Sequence, residues 1–460
     1  MHPTLVIDVV GLSPELLGDD TPHLNELVRS GLMRPLATVT PAVTCSVQST
    51  MLSGRMPAEH GIVGNGWYFR ELSEVWFWRQ SNQLVESKKV WELGRERDPS
   101  FTCANLFWWY NMYSTADWSV TPRPMYPSDG RKLPDVYSHP SNLREELQRE
   151  LGQFPLFHFW GPAADIRSSR WITSAALRVM AKHSPTLTLV YLPHLDYGLQ
   201  RLGPDLSHPR IRQDLREVDA LVGELCAAAR QSARRVIVLS EYGITRVDGA
   251  LAPNRTLRER GWIAVREELG RELLDAGASD AFAVVDHQLA HVYVRRPELI
   301  PEVRSCLEKL DGVERVLDRQ EQAALGLNHA RSGELVLISR ANRWFSYHYW
   351  LSPERAPDFA TTVDIHRKPG YDPVELFLDP QLAWPPFSIG WRLARKKLGF
   401  RGLMDVISPE GNQLVKGSHG RVTDDPRQGP LFISSEPSLA GSGTLAATDV
   451  AGLMLAHVFE

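Results

Sequence analysis

Three apolar segments of this chain end in an acidic residue, and this feature constrains its fold more than any other. Asp8 stands near the end of the first segment, Asp196 follows the second (186–192), and Glu241 follows the third (235–240). Such apolar runs are typical of strands buried on both faces of a parallel sheet. Because the carboxyl ends of these strands share one edge, where ligands bind in open α/β folds, we expect the three acids to lie together.

Helical patterns between these strands define the fold class. Apolar spacing and capping residues predict helices over 21–31, 141–153, 168–182 and 208–231. Strands that alternate with helices favour an α/β fold, a three-layer α/β/α sandwich with a central, mostly parallel sheet.

The remaining segments show a different pattern of residues from this core. We assign residues 1–279 and 363–460 to the core. Short strands and one helix predict a small inserted α+β lobe over 280–362, in which 334–339 and 344–347 flank a turn as in a hairpin. The aromatic-rich segment 66–135 is predicted to line a substrate pocket within the core.

Composition excludes several functional classes. The 460 residues are 43% hydrophobic with a net charge of −4, which suits a large core and argues against nucleic acid as a partner. No apolar run is long enough to span a membrane, and the first strand starts too early for a signal peptide. The four cysteines lack metal-ligand spacing and predict reduced thiols. We therefore expect a cytoplasmic protein with no membrane partner.

A second motif is the segment Thr40–Asn65, TPAVTCSVQSTMLSGRMPAEHGIVGN. Its small and hydroxylated residues Thr44–Leu52 predict a helix that stops at Gly54. The start of that helix offers unpaired N–H groups and the positive end of a dipole, which favour an anion. Two interpretations of Thr44 stay open from this segment alone: a nucleophile that attacks phosphate, or a helix cap.

Several motifs together resemble a known family, the nucleotide pyrophosphatase/phosphodiesterase branch of the alkaline phosphatase superfamily. They are Asp8, the segment Thr21–Gly31, the Thr44 motif with PAEHGIVGN, and GSHGR at 417–421, in this order. The resemblance implies hydrolysis of a small phosphate ester, with a phosphodiester or pyrophosphate bond favoured. It also implies a threonine nucleophile and an asparagine that holds a phosphate oxygen, which by position are Thr44 and Asn65.

The resemblance further implies two divalent metal ions, with zinc as the first choice. By position the ligands are Asp8, Thr44, Glu241 and Tyr242 for one ion, and Asp196, Gln200 and His419 for the other. Three positions depart from the family pattern, because Gln200, Glu241 and Tyr242 stand where it has His, Asp and His. Oxygen-rich ligand sets favour manganese or magnesium as alternatives to zinc.

Two explanations of these departures stay open. In the first, other residues have rebuilt the metal site; the candidates are His366, which we favour, and also Asp364, His287 and His291, with His194 as a partner of Asp196. In the second, the chain is a catalytically silent phosphate- or nucleotide-binding protein that keeps the fold. The retained Asp8, Thr44, Asn65, Asp196 and His419 favour an enzyme.

Overall fold

The structure is a computed structural model that describes all 460 residues, and a nine-stranded sheet lies at its centre. In order across the sheet, the strands are Leu445–Ala446, Leu32–Ala37, Leu431–Ser434, Arg235–Leu239, Thr4–Val9, Leu187–Leu192, Cys103–Leu106, Trp118–Pro122 and Val136–His139. Only Leu431–Ser434 and Val136–His139 run against their neighbours. The predicted mostly parallel sheet is confirmed.

Helices cover both faces of this sheet, as the sequence predicts. The helix Pro209–Gln231 packs against the first strand, Thr4–Val9. The helix Val450–Phe459 also packs against this strand and contacts Thr44–Ser53. The α-helices are Pro22–Ser30, Thr44–Ser53, Pro57–His60, Val90–Arg97, Asn142–Leu151, Ile166–His183, His194–Leu202, Pro209–Gln231, Pro253–Glu259, Ile300–Leu307, Arg319–Ala324, Pro385–Lys397 and Val450–Phe459. No helix combines the length and the apolar character needed to cross a membrane.

The helix Thr44–Ser53 is buried along its whole length, which is unusual for a helix with so many hydroxyl groups. Its small side chains let neighbouring elements approach closely, and Thr50 and Ser53 satisfy their hydroxyls on backbone carbonyls one turn earlier. Gly54 ends the helix with a φ of 69°, a conformation that favours glycine. This helix therefore holds its first residue rigidly at the edge of the sheet.

A second, four-stranded antiparallel sheet forms a separate lobe. Its strands, in order, are Ala281–Asp286, Leu289–Val294, Leu335–Ser339 and Val313–Leu317, and none of them pairs with the central sheet. Its apolar cluster also includes Leu257 and Trp262 and the adjoining hairpin of Ala264–Glu268 and Arg271–Asp275. The packing unit thus begins before the predicted boundary at residue 280.

Two local features differ from the sequence-based interpretation. The segment 66–135 holds a hairpin, Gly66–Phe69 with Glu74–Phe77, and also supplies two strands of the central sheet. Those strands have only four and five residues, too few for a clear periodic pattern. In the lobe, Arg343–Phe345 pairs in parallel with Gly249–Leu251 and does not form the expected hairpin.

The segment that follows the lobe, residues 368–375, contains a buried ion cluster. The Lys368 side chain is 1% exposed, and its Nζ lies 2.8 Å from Asp372 Oδ2 and 2.7 Å from Glu375 Oε1. Burial acts to lower the pKa of Lys368, but the two carboxylates outweigh it and raise the pKa. Glu375 also accepts hydrogen bonds from Trp160 Nε1 and from the backbone of Asp364. The cluster therefore ties this segment to the body.

We expect Lys368→Met to lower the free energy of unfolding by about 3–5 kcal/mol, because it leaves two buried carboxylates without their cation. Urea denaturation at neutral pH measures the change. Arg367→Met is the matched control, since that neighbouring side chain is 51% exposed and its ion pairs lie at the surface. Equal stability losses in the two variants would contradict this account of the cluster.

Candidate active site

Two carboxylates meet at the carboxyl edge of the central sheet. Asp8 lies on the first strand opposite Leu239 of the neighbouring strand, and Glu241 follows Leu239 by two residues. The amide nitrogen of Gln48 donates to both carboxylates, at 3.2 Å to Asp8 Oδ2 and 2.6 Å to Glu241 Oε1. The backbone N–H of Trp109 donates to Gln48 Oε1 at 2.7 Å, which fixes the orientation of the amide.

Thr44 is the first residue of its helix, and its hydroxyl does not cap that helix. The N-cap residue is Val43, which makes no side-chain capping hydrogen bond, and the N–H of Cys45 in the first turn is bound by the Asn65 side chain. The Thr44 hydroxyl lies 3.2 Å from the hydroxyl of Tyr242. Thr44 is 4% exposed, at the end of the helix that faces the carboxylates. The capping interpretation is therefore wrong, and the hydroxyl is left for another role.

Asp196 lies on the other side of Tyr242, in the first turn of the helix His194–Leu202. Its Oδ1 lies 3.3 Å from the Tyr242 hydroxyl, and its Oδ2 lies 2.6 Å from Gln200 Nε2. The Gln200 carbonyl accepts from Tyr371 at 3.0 Å. Gln200 thus turns its N–H toward Asp196, so in this orientation it offers no oxygen to an ion held there.

His419 brings a neutral imidazole to the same place. Its Nδ1 lies 2.8 Å from the carbonyl of Ala42, and a carbonyl only accepts, so Nδ1 carries the proton. Nε2 therefore bears a lone pair, 4.0 Å from Asp196 Oδ1. Burial lowers the pKa of His419 to about 3, which keeps the ring neutral. The ring stacks on Tyr242 with centroids 3.6 Å apart.

The lobe contributes two residues to this site. Asp286 ends the strand Ala281–Asp286 and accepts from Asn65, at 2.7 Å from the backbone N–H and 3.0 Å from the side-chain amide. Asn65 in turn accepts from the backbone N–H of Cys45 at 3.0 Å. His287 follows in a turn with a φ of 61° and lies 3.6 Å from the His419 ring, centroid to centroid.

These residues form a strongly anionic centre. Asp8, Asp196, Glu241 and Asp286 are all at most 6% exposed, and no lysine or arginine pairs with any of them. Burial raises the pKa of Asp8, Asp196 and Asp286 to about 7 and that of Glu241 well above its ordinary value. Buried carboxylates in this state require either protons or a bound cation.

Several polar atoms of this centre are of the kinds that bind a divalent cation. Asp8 Oδ1, Glu241 Oε2 and His419 Nε2 are all buried without a hydrogen-bond partner, and so is Nδ1 of His287. Carboxylate oxygens and imidazole nitrogens are the ligands that zinc and manganese accept. Fixing His419 through its other nitrogen is also the usual arrangement for a metal-binding imidazole.

The other predicted candidates lie apart from this centre. His366 is half-buried, and its one polar contact is a 3.4 Å approach to the Phe77 carbonyl. His291 contacts the backbone of Val63 and Gly333. Asp364 pairs with Arg367 at 3.9 Å. None of the three makes a hydrogen bond or ion pair with Asp8, Asp196 or Glu241, so His366 stays a prediction without support from these contacts.

His194 belongs to a different cluster. Its Nε2 lies 3.2 Å from Asp214 Oδ1 and 3.1 Å from Glu217 Oε2, three atoms that could together hold a cation. Arg210 already lies 2.9 Å from the same Asp214 oxygen. Burial acts to lower the pKa of His194, but the two carboxylates raise it overall. The contacts are those of a buried ion-pair cluster, with no link to Asp196.

Sequence analysis missed three residues of the site. Gln48 lies one helical turn after Thr44, a spacing that places both on one face. Asp286 ends an apolar strand, the same signal that marks Asp8. Tyr371 lies in a segment without regular structure and becomes part of the site only through its contact with Gln200. The first two carried a usable signal in the sequence, and the third did not.

Comparison with known proteins identifies the family of this chain. The model of the type I phosphodiesterase/nucleotide pyrophosphatase family matches residues 4–372. The chain therefore belongs to this family. Members of the family generally depend on divalent metals.

Individual relatives are distant. An uncharacterized pyrophosphatase/phosphodiesterase of Schizosaccharomyces pombe is 25% identical over 235 residues, 49% of this chain and 41% of its own length. The match thus spans less than half of that relative. Phosphonoacetate hydrolase of Sinorhizobium meliloti, solved with phosphonoformate, shares the fold with a TM-score of 0.62 and 15% identity, over 99% of this chain and 96% of that one.

The fold of a mammalian structure is about as similar to this chain as that of the phosphonoacetate hydrolase. Murine ectonucleotide pyrophosphatase/phosphodiesterase 5, solved as an inactive threonine-to-alanine variant with AMP, gives a TM-score of 0.60 at 13% identity. The alignment covers 100% of this chain and 95% of the murine one. At such identities the likeness establishes the fold alone.

We expect Asp8→Asn to stabilise the metal-free protein at pH 8 by about 1–4 kcal/mol, with little effect below about pH 4. Burial raises the pKa of Asp8 from 3.8 to about 7, so the stabilising effect of its proton is fully present below the lower value. That stability is lost as the pH rises through about 7, where the buried carboxylate must ionise. Thermal unfolding in chelator measures both effects.

Metal addition completes the Asp8 experiment. Zinc or manganese should raise the melting temperature of the wild type at pH 8 more than that of Asp8→Asn. Asp311→Asn, at an 86% exposed side chain, is the control and should behave as the wild type. If Asp8→Asn instead destabilised the protein at pH 8 in the presence of chelator, the conclusion that Asp8 has no cationic partner would be contradicted.

We also expect His287→Ala to weaken zinc binding by about 10–100-fold, because its ring packs against His419 and its Nδ1 is free. His366→Ala should change zinc affinity little, since its contacts lie elsewhere. Competition titration with a chromophoric chelator gives both affinities. The reverse order would identify His366 as the ligand, as the sequence alone suggests.

Proposed function

We propose that this chain hydrolyses a phosphodiester or pyrophosphate bond through a covalent intermediate on Thr44, with the help of divalent metal ions. The observation that carries this proposal is the placement of the Thr44 hydroxyl. It stands at the start of a buried helix, does no capping, and lies near carboxylates that have no lysine or arginine partner. A small-molecule phosphate ester fits both the family and this arrangement.

Asp8, Thr44 and Glu241 would hold one ion, and Asp196 and His419 would hold the other. Gln200, a ligand predicted by position, would have to rotate its amide to join Asp196. Two such ions would lower the pKa of the Thr44 hydroxyl and offset the charge of the phosphate. Zinc suits the imidazole of His419, and manganese or magnesium suits the carboxylates.

Thr44 performs the covalent chemistry in this proposal. The Thr44 proton passes to solvent, the Thr44 oxygen bonds to phosphorus as the bond to the leaving oxygen breaks, and the leaving group takes that electron pair and a proton from solvent. Water then bonds to phosphorus as the bond between phosphorus and Thr44 breaks, and one proton of that water passes to the Thr44 oxygen. The product phosphate leaves the site.

Asn65 positions the phosphate. One N–H of its amide is bound by Asp286, and its carbonyl accepts from Cys45, so the amide plane is fixed. The second amide N–H remains to donate to a phosphate oxygen, together with the backbone N–H of Thr44 at the helix start. The Asp286 contact makes the lobe a support for this interaction.

A catalytically silent phosphate-binding protein is the second candidate, and one observation favours it. Gln48 and Gln200 already donate N–H hydrogen bonds to Asp8, Glu241 and Asp196. These hydrogen bonds stabilise carboxylates that would otherwise need a cation. Metal content of protein purified without chelator distinguishes the two candidates. About two equivalents would support the enzyme, and absence of metal together with inactivity on bis(p-nitrophenyl) phosphate would support the silent protein.

We expect Thr44→Ala to abolish hydrolysis of bis(p-nitrophenyl) phosphate, a loss of about 1000-fold or more in kcat. Unfolding free energy should change by about 1 kcal/mol or less, because the hydroxyl makes only one hydrogen bond. Thr44→Ser should retain measurable activity, since a primary hydroxyl can attack the same phosphorus. Steady-state kinetics with zinc and with manganese measure these effects.

Ser46→Ala is the matched control on the same helix. Ser46 is fully buried, and its hydroxyl has no hydrogen-bond partner, so its removal should leave kcat unchanged. Full activity of Thr44→Ala would exclude the covalent step and leave water as the nucleophile. Trapping a phosphorylated Thr44 peptide by acid quench would support the step directly.

A further inference from the structure

The helix Pro385–Lys397 has no buried residue, yet it carries large apolar side chains. Trp384, directly before it, is 83% exposed, Phe387 is 74%, Trp391 is 58%, and Leu398, directly after it, is 74%. Phe387, Trp391 and Leu398, spaced i, i+4 and i+11, lie on one stripe of the helix, and Trp384 at the N-cap, with a φ of 50°, extends this stripe just before the helix. An apolar stripe that faces water is costly unless another surface covers it.

The same stretch concentrates much of the exposed apolar surface of the whole protein. Seven of the seventeen exposed large apolar side chains lie between residues 384 and 403. Leu393, Phe400 and Leu403 complete this set. Elsewhere the exposed large apolar residues are dispersed along the chain, with only Met125 and Tyr126 adjacent to each other. The stripe is therefore a local feature of this helix and of the few residues after it.

Charge is concentrated here too. Residues 384–404 contain no aspartate or glutamate, and their basic side chains are Arg392, Arg395, Lys396, Lys397 and Arg401. Only Arg392 forms an ion pair, at 2.7 Å with Asp405. The other four are exposed and unpaired. A helix that presents tryptophan, phenylalanine and leucine beside unpaired lysine and arginine has the composition of a membrane-surface helix.

The helix is held so that this stripe points outward. Ile389, on the opposite side of the helix, packs partly against a small apolar cluster that includes Trp344 and Val406. The Arg392–Asp405 pair fixes the helix to the chain that follows it. Contacts with the body therefore use residues outside the stripe and leave the stripe free to contact something else.

We propose that this helix docks the protein on an anionic lipid surface. The stripe of Trp384, Phe387, Trp391 and Leu398 would lie at the boundary of headgroups and acyl chains, and the unpaired basic side chains would contact lipid phosphates. The helix lies in the plane of the surface and does not cross it. The proposal replaces the sequence-based expectation that no membrane is a partner, which considered only spanning segments.

A second copy of this chain is a poorer occupant. Two such helices packed stripe to stripe would bring two sets of four unpaired cations together, with no acid in either segment to offset them. An anionic lipid surface supplies both an apolar layer and the complementary charge. Charge complementarity therefore favours the lipid.

Vesicle flotation of the full chain tests the proposal. We expect binding to vesicles with about 30% phosphatidylglycerol, weak binding to phosphatidylcholine alone, and weaker binding as salt rises. Phe387→Ser with Trp391→Ser should lower the partition coefficient by about tenfold or more. The matched control is Phe157→Ser, an exposed apolar side chain outside the helix, which should leave binding unchanged.

Three results would overturn the proposal. The wild type could fail to bind the anionic vesicles, or the double variant could bind them as well as the wild type does. Sedimentation could instead show a dimer that the double variant dissociates, which would identify a second copy as the occupant. Unchanged thermal unfolding of the double variant would confirm that any loss of binding comes from the surface.

Discussion

The site depends on one electrostatic constraint, the burial of four carboxylates without a lysine or arginine partner. Asp8 and Glu241 approach each other because neighbouring strands of the central sheet end at the same edge, and Asp286, at the end of a strand of the lobe, joins the site through its hydrogen bonds with Asn65. Leaving such charges unpaired in a protein interior is far more costly than the few kilocalories that separate folded from unfolded chains. The protein must therefore supply protons, amide donors or cations, and each choice gives the site a different chemistry.

Rigidity around these carboxylates comes from elements that carry no charge themselves. The buried helix Thr44–Ser53 fixes Thr44 and Gln48 one turn apart, so both face the same edge. The contact between Asn65 and Asp286 joins the core to the lobe directly at the site. A change in how the lobe sits on the core would thus move Asn65 and the phosphate position together. Because of this coupling, the lobe forms part of the site.

The sequence predicted the central sheet because buried parallel strands are long, apolar and bounded by acids. Asp8 and Glu241 lie at the edge of that sheet for the same reason, and Thr44 begins its helix as expected. The strands Cys103–Leu106 and Trp118–Pro122 were missed because four or five residues between aromatic runs show no period. Tyr371 and the orientation of Gln200 depend on contacts between distant segments, which no local pattern encodes.

The two proposed cation positions are not equivalent in this arrangement. Asp8 and Glu241 each accept one hydrogen bond from Gln48 on one oxygen and have a second oxygen that accepts none, so a cation there need not displace Gln48. Asp196 has both oxygens engaged, by Gln200 and by Tyr242, so a cation there must displace one of them. A replaced hydrogen bond to a charged group costs about 1.5–3 kcal/mol, roughly ten- to a hundredfold in affinity. In the proposed two-ion arrangement, the contacts of Gln200 and Tyr242 with Asp196 would therefore weaken the Asp196 position. Two of the three departures, Glu241 and Tyr242, nevertheless stand by position among the ligands of the Asp8 ion, so the Asp8 position departs further from the family pattern in residue type.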